Sequence, residues 1–357
     1  MLTEKKKSRK KRKALILFAS FCGVFGLFVF LLMGASLKTE AIRSLASCNN
    51  KEEVKELYQQ YKNELFDNED FLTEVRLRLV DLNLPDSSLM ECQSWLPQPP
   101  TSLNVIIVPD LSRRITDEDN NEHQIVNDRA IIQHAWEKFT EEVSLKKNSK
   151  DCFRITIADP EQAQGQFDQI ADKLFFDLSV HTNKTNRLYF TDYKKRKLLK
   201  NTDVLYAMSM ENTSGADYLS FFRRYCERLL KKSDLFNRYE NKIIILTDGY
   251  IEKLDVTYTK LDVVAKRKAY DMTSSGIAEL ITRKNWNIPL AEVNLSETDI
   301  LVCEVNERKK GRGFHYQILQ AYWSDWLTRM EPKYFNVISR NYSMNQTFQD
   351  IDKFMER

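Results

Sequence analysis

The sequence predicts an α/β domain built on a doubly wound, mostly parallel sheet, preceded by a transmembrane helix and a short helical stalk. Three observations carry that expectation. Ala14 to Leu37 is a 24-residue stretch without a charged side chain. A proline cluster, Leu96-Pro97-Gln98-Pro99-Pro100, interrupts a helical pattern. Beyond it, short β-branched apolar runs alternate with amphipathic ones, the signature of βαβ units whose sheet is covered on both faces.

Taken in order, residues 1–13 (MLTEKKKSRKKRK) form a basic arm with eight Lys or Arg side chains against one acid, Glu4. The charge-free stretch behind it, residues 14–37, reaches roughly 36 Å as a helix, enough to cross a bilayer. A basic flank on its N-terminal side orients a single-pass protein with the arm in the cytoplasm and the bulk of the chain extracytoplasmic. A cleaved signal peptide is the competing reading, since Met33-Gly34-Ala35-Ser36 offers small residues. The stretch is nonetheless longer than the ~7–15 apolar residues of a signal core.

With the arm set aside, residues 38–357 hold 46 basic and 50 acidic side chains, so the net +3 of the whole chain misleads. That balance argues against a nucleic-acid partner. Cysteines Cys48, Cys92, Cys152, Cys226 and Cys303 show no CxxC spacing, which excludes a zinc ribbon. Cys48 and Cys92 flank one short region and are the pair considered for a bridge.

Residues 38–96 read as a membrane-proximal helical stalk: Asn50 and Glu53 stand at capping-box spacing, and Val54, Leu57, Tyr58 and Tyr61 share a helical face. Prolines then stiffen the connector. In the α/β domain, 101–357, the predicted strands are VIIV (105–108), CFRITIA (152–158), KIIIL (242–246), DILVCEV (299–305) and YFNVIS (334–339). Helices are predicted from Ala130, from Glu161 to Leu178, from Ala216, from Phe314 and over FQDIDKFMER, with 116–124, 181–197 and 308–313 as irregular insertions.

In an open parallel sheet, ligands bind beyond the carboxyl ends of the strands. Three loops place oxygen-bearing side chains there: Asp110-Leu111-Ser112-Arg113-Arg114 after VIIV, Asn212-Thr213-Ser214-Gly215 before the helix at Ala216, and Thr247-Asp248-Gly249 after KIIIL. Together they resemble the von Willebrand factor type A domain and its metal-ion-dependent adhesion site. The resemblance implies that Asp110, Ser112, Thr213 and Asp248 surround Mg²⁺ or another divalent cation, whose open position takes a carboxylate from a protein partner. A hard cation that keeps several waters needs few side-chain oxygens. The departure is Arg114, which stands where the family has a second serine. Either it points to solvent, or its guanidinium pairs with Asp110 or Asp248 and substitutes for the metal.

Neither a Gly-x-Gly-x-x-Gly nor a P-loop occurs, so nothing supports nucleotide binding, and His123, His134, His181 and His315 lack ligand spacing. Trp323, Trp326 and Tyr322 are expected to pack in the core. The leading expectation is a membrane-anchored adhesion or protein-binding module and no enzyme. The alternatives are a structural subunit of a membrane complex with a vestigial metal site, and a haloacid-dehalogenase-like phosphohydrolase with Asp110 as nucleophile. For the latter, Ser112 stands where that family wants a second acid.

Overall fold

The computed structural model describes residues 37–357 apart from 118–122, 160–164, 166, 214–215, 254–255, 262–272, 309–313 and 342. The basic arm and all but the last residue of the stretch expected to span the membrane therefore lie outside the described residues. Among those described, no helix is long and apolar enough to cross a membrane. The chain divides into two compact units, one running to Pro99 and including Asp234–Phe236, the other comprising Pro100–Ser233 and Asn237–Arg357.

The first unit is helical: α1 (Lys51–Tyr61), α2 (Glu69–Asp81) and α3 (Asp86–Cys92) follow a helical segment over 37–45. Asn50 caps α1 by accepting from the Glu53 amide at 2.9 Å, and Glu53 returns by accepting from the Asn49 amide at 2.7 Å, which satisfies donors that a bare helix end leaves open. Val54, Tyr58 and Tyr61 meet Phe71, Val75 and Leu79 in a small core, which Leu235 joins from far along the chain. Cys48 and Cys92 are separate free thiols, each turned back onto a carbonyl four residues earlier, so the bridge considered for them is absent.

The second unit carries a six-stranded sheet of order β3-β2-β1-β4-β7-β8, formed by β1 (Thr101–Pro109), β2 (Cys152–Ile155), β3 (Phe175–Asp177), β4 (Arg238–Leu246), β7 (Thr298–Val305) and β8 (Tyr334–Ser339). A small hairpin, β5 (Glu252–Lys253) and β6 (Val256–Thr257), stands apart. All neighbours in the large sheet are parallel except β3, which runs against β2. The mixed α/β expectation therefore holds. Alternate residues face opposite sides: Ile106, Ile243, Ile245 and Ile300 pack beneath Trp323 and Trp326, while Ile107, Ile244, Leu246 and Leu301 pack against Trp136, Phe139 and Phe354. Trp323 and Trp326 are core residues whose indole nitrogens donate to the carbonyls of Gly249 and Pro289.

Two sequence expectations fail. Among the described residues, the helix expected from Glu161 to Leu178 is limited to Asp168–Ala171 and a 3₁₀ turn before the chain extends into β3. There Phe176 packs edge-on to Trp136 at 5.0 Å and the Arg154 guanidinium lies over Phe175, contacts that an aromatic pair finds on a sheet edge. The insertion expected over 181–197 is instead the first half of a 28-residue helix, α5 (Lys184–Glu211). Its buried face runs through Arg187, Thr191, Leu198, Thr202, Leu205, Tyr206 and Ser209, so helical spacing is present but four of these seven residues are polar or charged. Thr191, Thr202 and Ser209 return their hydroxyls to carbonyls four residues back, and Arg187 pairs with buried Asp151 at 2.6 Å.

Three further helices complete the cover: α4 (Gln124–Val143), α8 (Phe314–Met330) and α9 (Met344–Met355). Between α5 and β4 lies α6, in which Tyr218–Ser220, a π-helical turn Phe221–Cys226 and Glu227–Leu229 follow one another, and α7 (Ser274–Arg283) precedes β7.

Candidate functional site

Register brings the site together. Pro109 of β1 is level with Leu246 of β4, and Leu246 with Cys303 of β7, so Asp110 and Thr247, just past their strands, stand at the height of Glu304 near the end of β7. The chain crosses one way from β1 to β2 and the other way from β3 to β4, which puts the reversal of strand order between β1 and β4. Crevices at such reversals are where open α/β sheets bind ligands.

Asp110 is fully buried. Its amide donates to the Leu246 carbonyl at 2.8 Å, continuing the ladder one residue past the strand. One carboxylate oxygen accepts from the Ser112 amide at 2.9 Å, and the other from the Thr247 hydroxyl at 2.9 Å. Thr247 in turn accepts from the Gly249 amide at 3.0 Å. Gly249 has φ +96°, and a Cβ there would sit 2.8 Å from Cγ1 of Val305, so the turn that aims Asp248 tolerates no larger residue.

Arg114 does not point to solvent. It sits on a 3₁₀ turn, Arg113–Ile115, and is as buried as Asp110. Its Nε donates to the Asp110 carbonyl at 2.9 Å, and Nη2 to the Leu246 carbonyl at 2.8 Å. Its main carboxylate partner is Asp128 of α4, reached at 2.6 Å, with an Asp110 carboxylate oxygen 3.6 Å from Nε. Asp128 also accepts from Gln124 at 2.9 Å and from the Tyr206 hydroxyl at 2.7 Å. Burial alone would lower the Arg114 pKa, but Asp128 and Asp110 more than reverse this and hold it above the ordinary arginine value. Burial, then the neighbouring Asp128 charge, pushes the Tyr206 hydroxyl well above its usual range, which keeps it a donor.

Asp248, also buried, is held by a second arginine that sequence reasoning left in an irregular insertion. Arg308 donates from Nε to Asp248 at 2.8 Å and from Nη1 to Glu252 at 2.8 Å, with its guanidinium 4.1 Å above the Tyr250 ring. The other oxygen of Asp248 accepts from the Tyr250 amide at 3.3 Å. Burial raises the Asp248 pKa to about 6 even though Arg308 pulls it down. Glu304 closes the row with φ 70°, fully buried, its carboxylate 3.8 Å from Arg340, and burial with the nearby Asp128 charge raises it to about 7.

Of the expected residues, then, Asp110, Ser112 and Asp248 converge with Arg114 around the β1 and β4 ends. Thr213 is half-buried in the segment between α5 and α6, with no hydrogen bond to Asp110 or Asp248 among the described residues, and its neighbours Ser214 and Gly215 lie outside them. The helix that follows is capped by Asp217, which accepts from the Ser220 amide at 2.9 Å. As arranged, the two aspartates are already paired with arginines within the fold. Both oxygens of Asp110 and both of Asp248 already carry donors, and each aspartate has an arginine beside it.

Asp128 had a legible signal, for Gln124, Asp128, Ile131 and Ala135 stand at helical spacing, which puts a carboxylate in an apolar stripe. Arg308, Glu252 and Tyr206 had none, being ordinary residues until the fold joins them. Comparison with protein-family models, with curated proteins and with solved structures finds no match.

Proposed function

We propose that the chain is a membrane-tethered protein-binding module of von Willebrand factor A-like design that meets its partner at the carboxyl ends of β1 and β4. The tether is the charge-free stretch 14–37 behind its basic arm. The single observation that carries the binding reading is the meeting of the Asp110 and Asp248 turns, level with each other, at the point where strand order reverses. Charge over residues 38–357 and the lack of a phosphate-binding loop favour a protein over a nucleic acid or nucleotide as occupant.

The chemistry of the same residues supports recognition over catalysis. A nucleophilic aspartate needs an oxygen that substrate can reach. Asp110 is buried, with both oxygens engaged. The phosphohydrolase alternative accordingly predicts turnover of a generic phosphate ester that Asp110→Asn abolishes, and none is expected. The structural-subunit alternative draws on buried Arg114, which leaves the rim balanced internally and would shift contacts to other surfaces.

Photo-crosslinking from native membranes separates the two binding readings. A crosslinker at exposed Arg113, on the rim, is expected to capture one discrete protein, while one at exposed Lys150, at the amino end of β2, captures none. A silent rim with capture at Lys150 would favour the structural subunit.

A further inference from the structure

The Asp110 and Asp248 turns stand at the carboxyl ends of the strands. We infer that the opposite end of the sheet, around the entry to β2 and the first half of α5, is a second interaction surface, which rests on the headgroups of an anionic bilayer. It supposes the tether proposed above, which holds the chain at a membrane, and it turns the rim away from that membrane toward a partner.

One buried side chain gathers this surface. Arg187, near the start of α5, has no solvent exposure and donates to the carbonyls of Val143, Ser149, Leu178 and His181 and to the Asp151 carboxylate. The Asn148 amide adds a bond to the Thr182 carbonyl at 3.3 Å. The segment leading from α4 into β2 and the one leading from β3 into α5 are therefore fixed side by side. Around this anchor, large apolar side chains stand open to water: Val180 is 78% exposed, Tyr189 76% and Leu145 61%, with Leu188 and Tyr193 also exposed. Apolar groups gathered in one exposed place and rimmed by charge mark an interaction surface.

Charge and side-chain type decide what it meets. Residues 141–151 and 177–200 hold ten Lys or Arg against five acids, within a stretch, 38–357, where acids outnumber bases. One of those acids, Asp151, is buried against Arg187, whereas Lys147, Lys150 and Lys184 are exposed. Tyr189 and Tyr193 stack one helical turn apart at 6.4 Å, and the Lys197 amine lies 4.6 Å from the Tyr193 ring centre. Tyrosine suits the headgroup layer because its ring is apolar and its hydroxyl wet, and lysine reaches phosphates on a flexible apolar stem. Each Lys or Arg near an anionic bilayer strengthens binding about fivefold. The tether keeps bilayer at high effective concentration, so a contact too weak for a free protein suffices here.

The test uses the full chain reconstituted in vesicles of phosphatidylcholine, with and without phosphatidylglycerol. A benzophenone amino acid replaces exposed Tyr189, and lipid adducts are read by mass spectrometry after irradiation. Adducts are expected to rise several-fold with phosphatidylglycerol and to fall at least about fivefold when Lys147→Glu, Lys150→Glu and Lys184→Glu are combined. The same benzophenone at exposed Val126, at the other end of α4, should give none. Equal adducts at Tyr189 and Val126 overturn the proposal, as do Tyr189 adducts indifferent to lipid charge. Capture of a discrete protein in place of lipid by Tyr189 in native membranes overturns it too. Carbonate extraction of the same vesicles reads the tether separately. A chain that carbonate strips but that still forms charge-dependent Tyr189 adducts sinks the tether and keeps the docking surface, while a retained chain without adducts sinks the docking surface alone. A stripped chain without adducts sinks both.

Discussion

The two arms of the rim are built from the same pair of groups, an aspartate after a strand and an arginine beside it, yet they differ in depth. On the β1 arm, Arg114, Asp110 and Asp128 are all without solvent contact, and Arg114 also donates to two main-chain carbonyls. On the β4 arm, Arg308 is partly exposed and reaches its two carboxylates from a loop. Depth changes what an ion pair does. A buried pair is weak evidence of net stabilisation, because desolvation consumes much of the Coulomb attraction, but removing one partner leaves a stranded charge and is strongly destabilising. A partly exposed pair can trade protein for water. The first arm is thus structure, and the second is the one open to exchange.

The sharpest way to break the comparison is Arg114→Ala, which strands Asp128 and Asp110. It should cost about 3–5 kcal/mol in a denaturant melt, and a loss below about 1 kcal/mol would mean that the inner arm relaxes as freely as the outer. Glu304→Gln comes next, and its effect depends on pH. The folded-state pKa of Glu304 is raised to about 7, so between roughly pH 4.5 and 7 the unfolded chain ionises while the fold holds the proton. Stability is lost as pH rises through that window and stays lost above it. The variant should therefore match wild type near pH 4 and be more stable by about 1–3 kcal/mol at pH 8, measured as urea midpoints. An equal effect at both pH values would remove the titration as its cause.

Arg308→Ala should cost less than Arg114→Ala, about 1–2 kcal/mol at neutral pH, since one buried acceptor loses its donor while water reaches the vacated space. A cost equal to that of Arg114→Ala would erase the difference between the arms. The smallest effect is reserved for a surface control, Arg129 with Asp203, whose side chains are 41% and 52% exposed at 2.7 Å. Their double-mutant coupling should be no more than about 0.5 kcal/mol and should vanish in high salt.

Local pattern made much of the fold legible. The strands after residue 100 announce themselves as β-branched runs, and α8 and α9 as amphipathic ones, because a segment whose neighbours are all apolar must read apolar itself. The same logic explains the failures. The buried face of α5 interleaves Leu198, Leu205 and Tyr206 with Arg187, Thr191, Thr202 and Ser209, whose polar groups are satisfied by back-bonding and by Asp151, so burial there leaves only a broken hydrophobic trace. β3 is three residues long and exists only because β2 offers an unpaired edge.

The sequence by itself determined that oxygen-bearing turns would follow β1 and β4, that Arg114 would break the pattern there, and that a charge-free stretch lies between a basic arm and the helical unit. These are properties of short segments, set by residue type and spacing. Only the tertiary structure decided what the turns would hold. Asp128 lies fourteen residues from Arg114, and Tyr206 seventy-eight from Asp128. Arg308 lies sixty from Asp248. Electrostatic pairing depends on distance and burial, not on separation along the chain, so the partners of both aspartates became defined only when the sheet set its register and the helices closed over it.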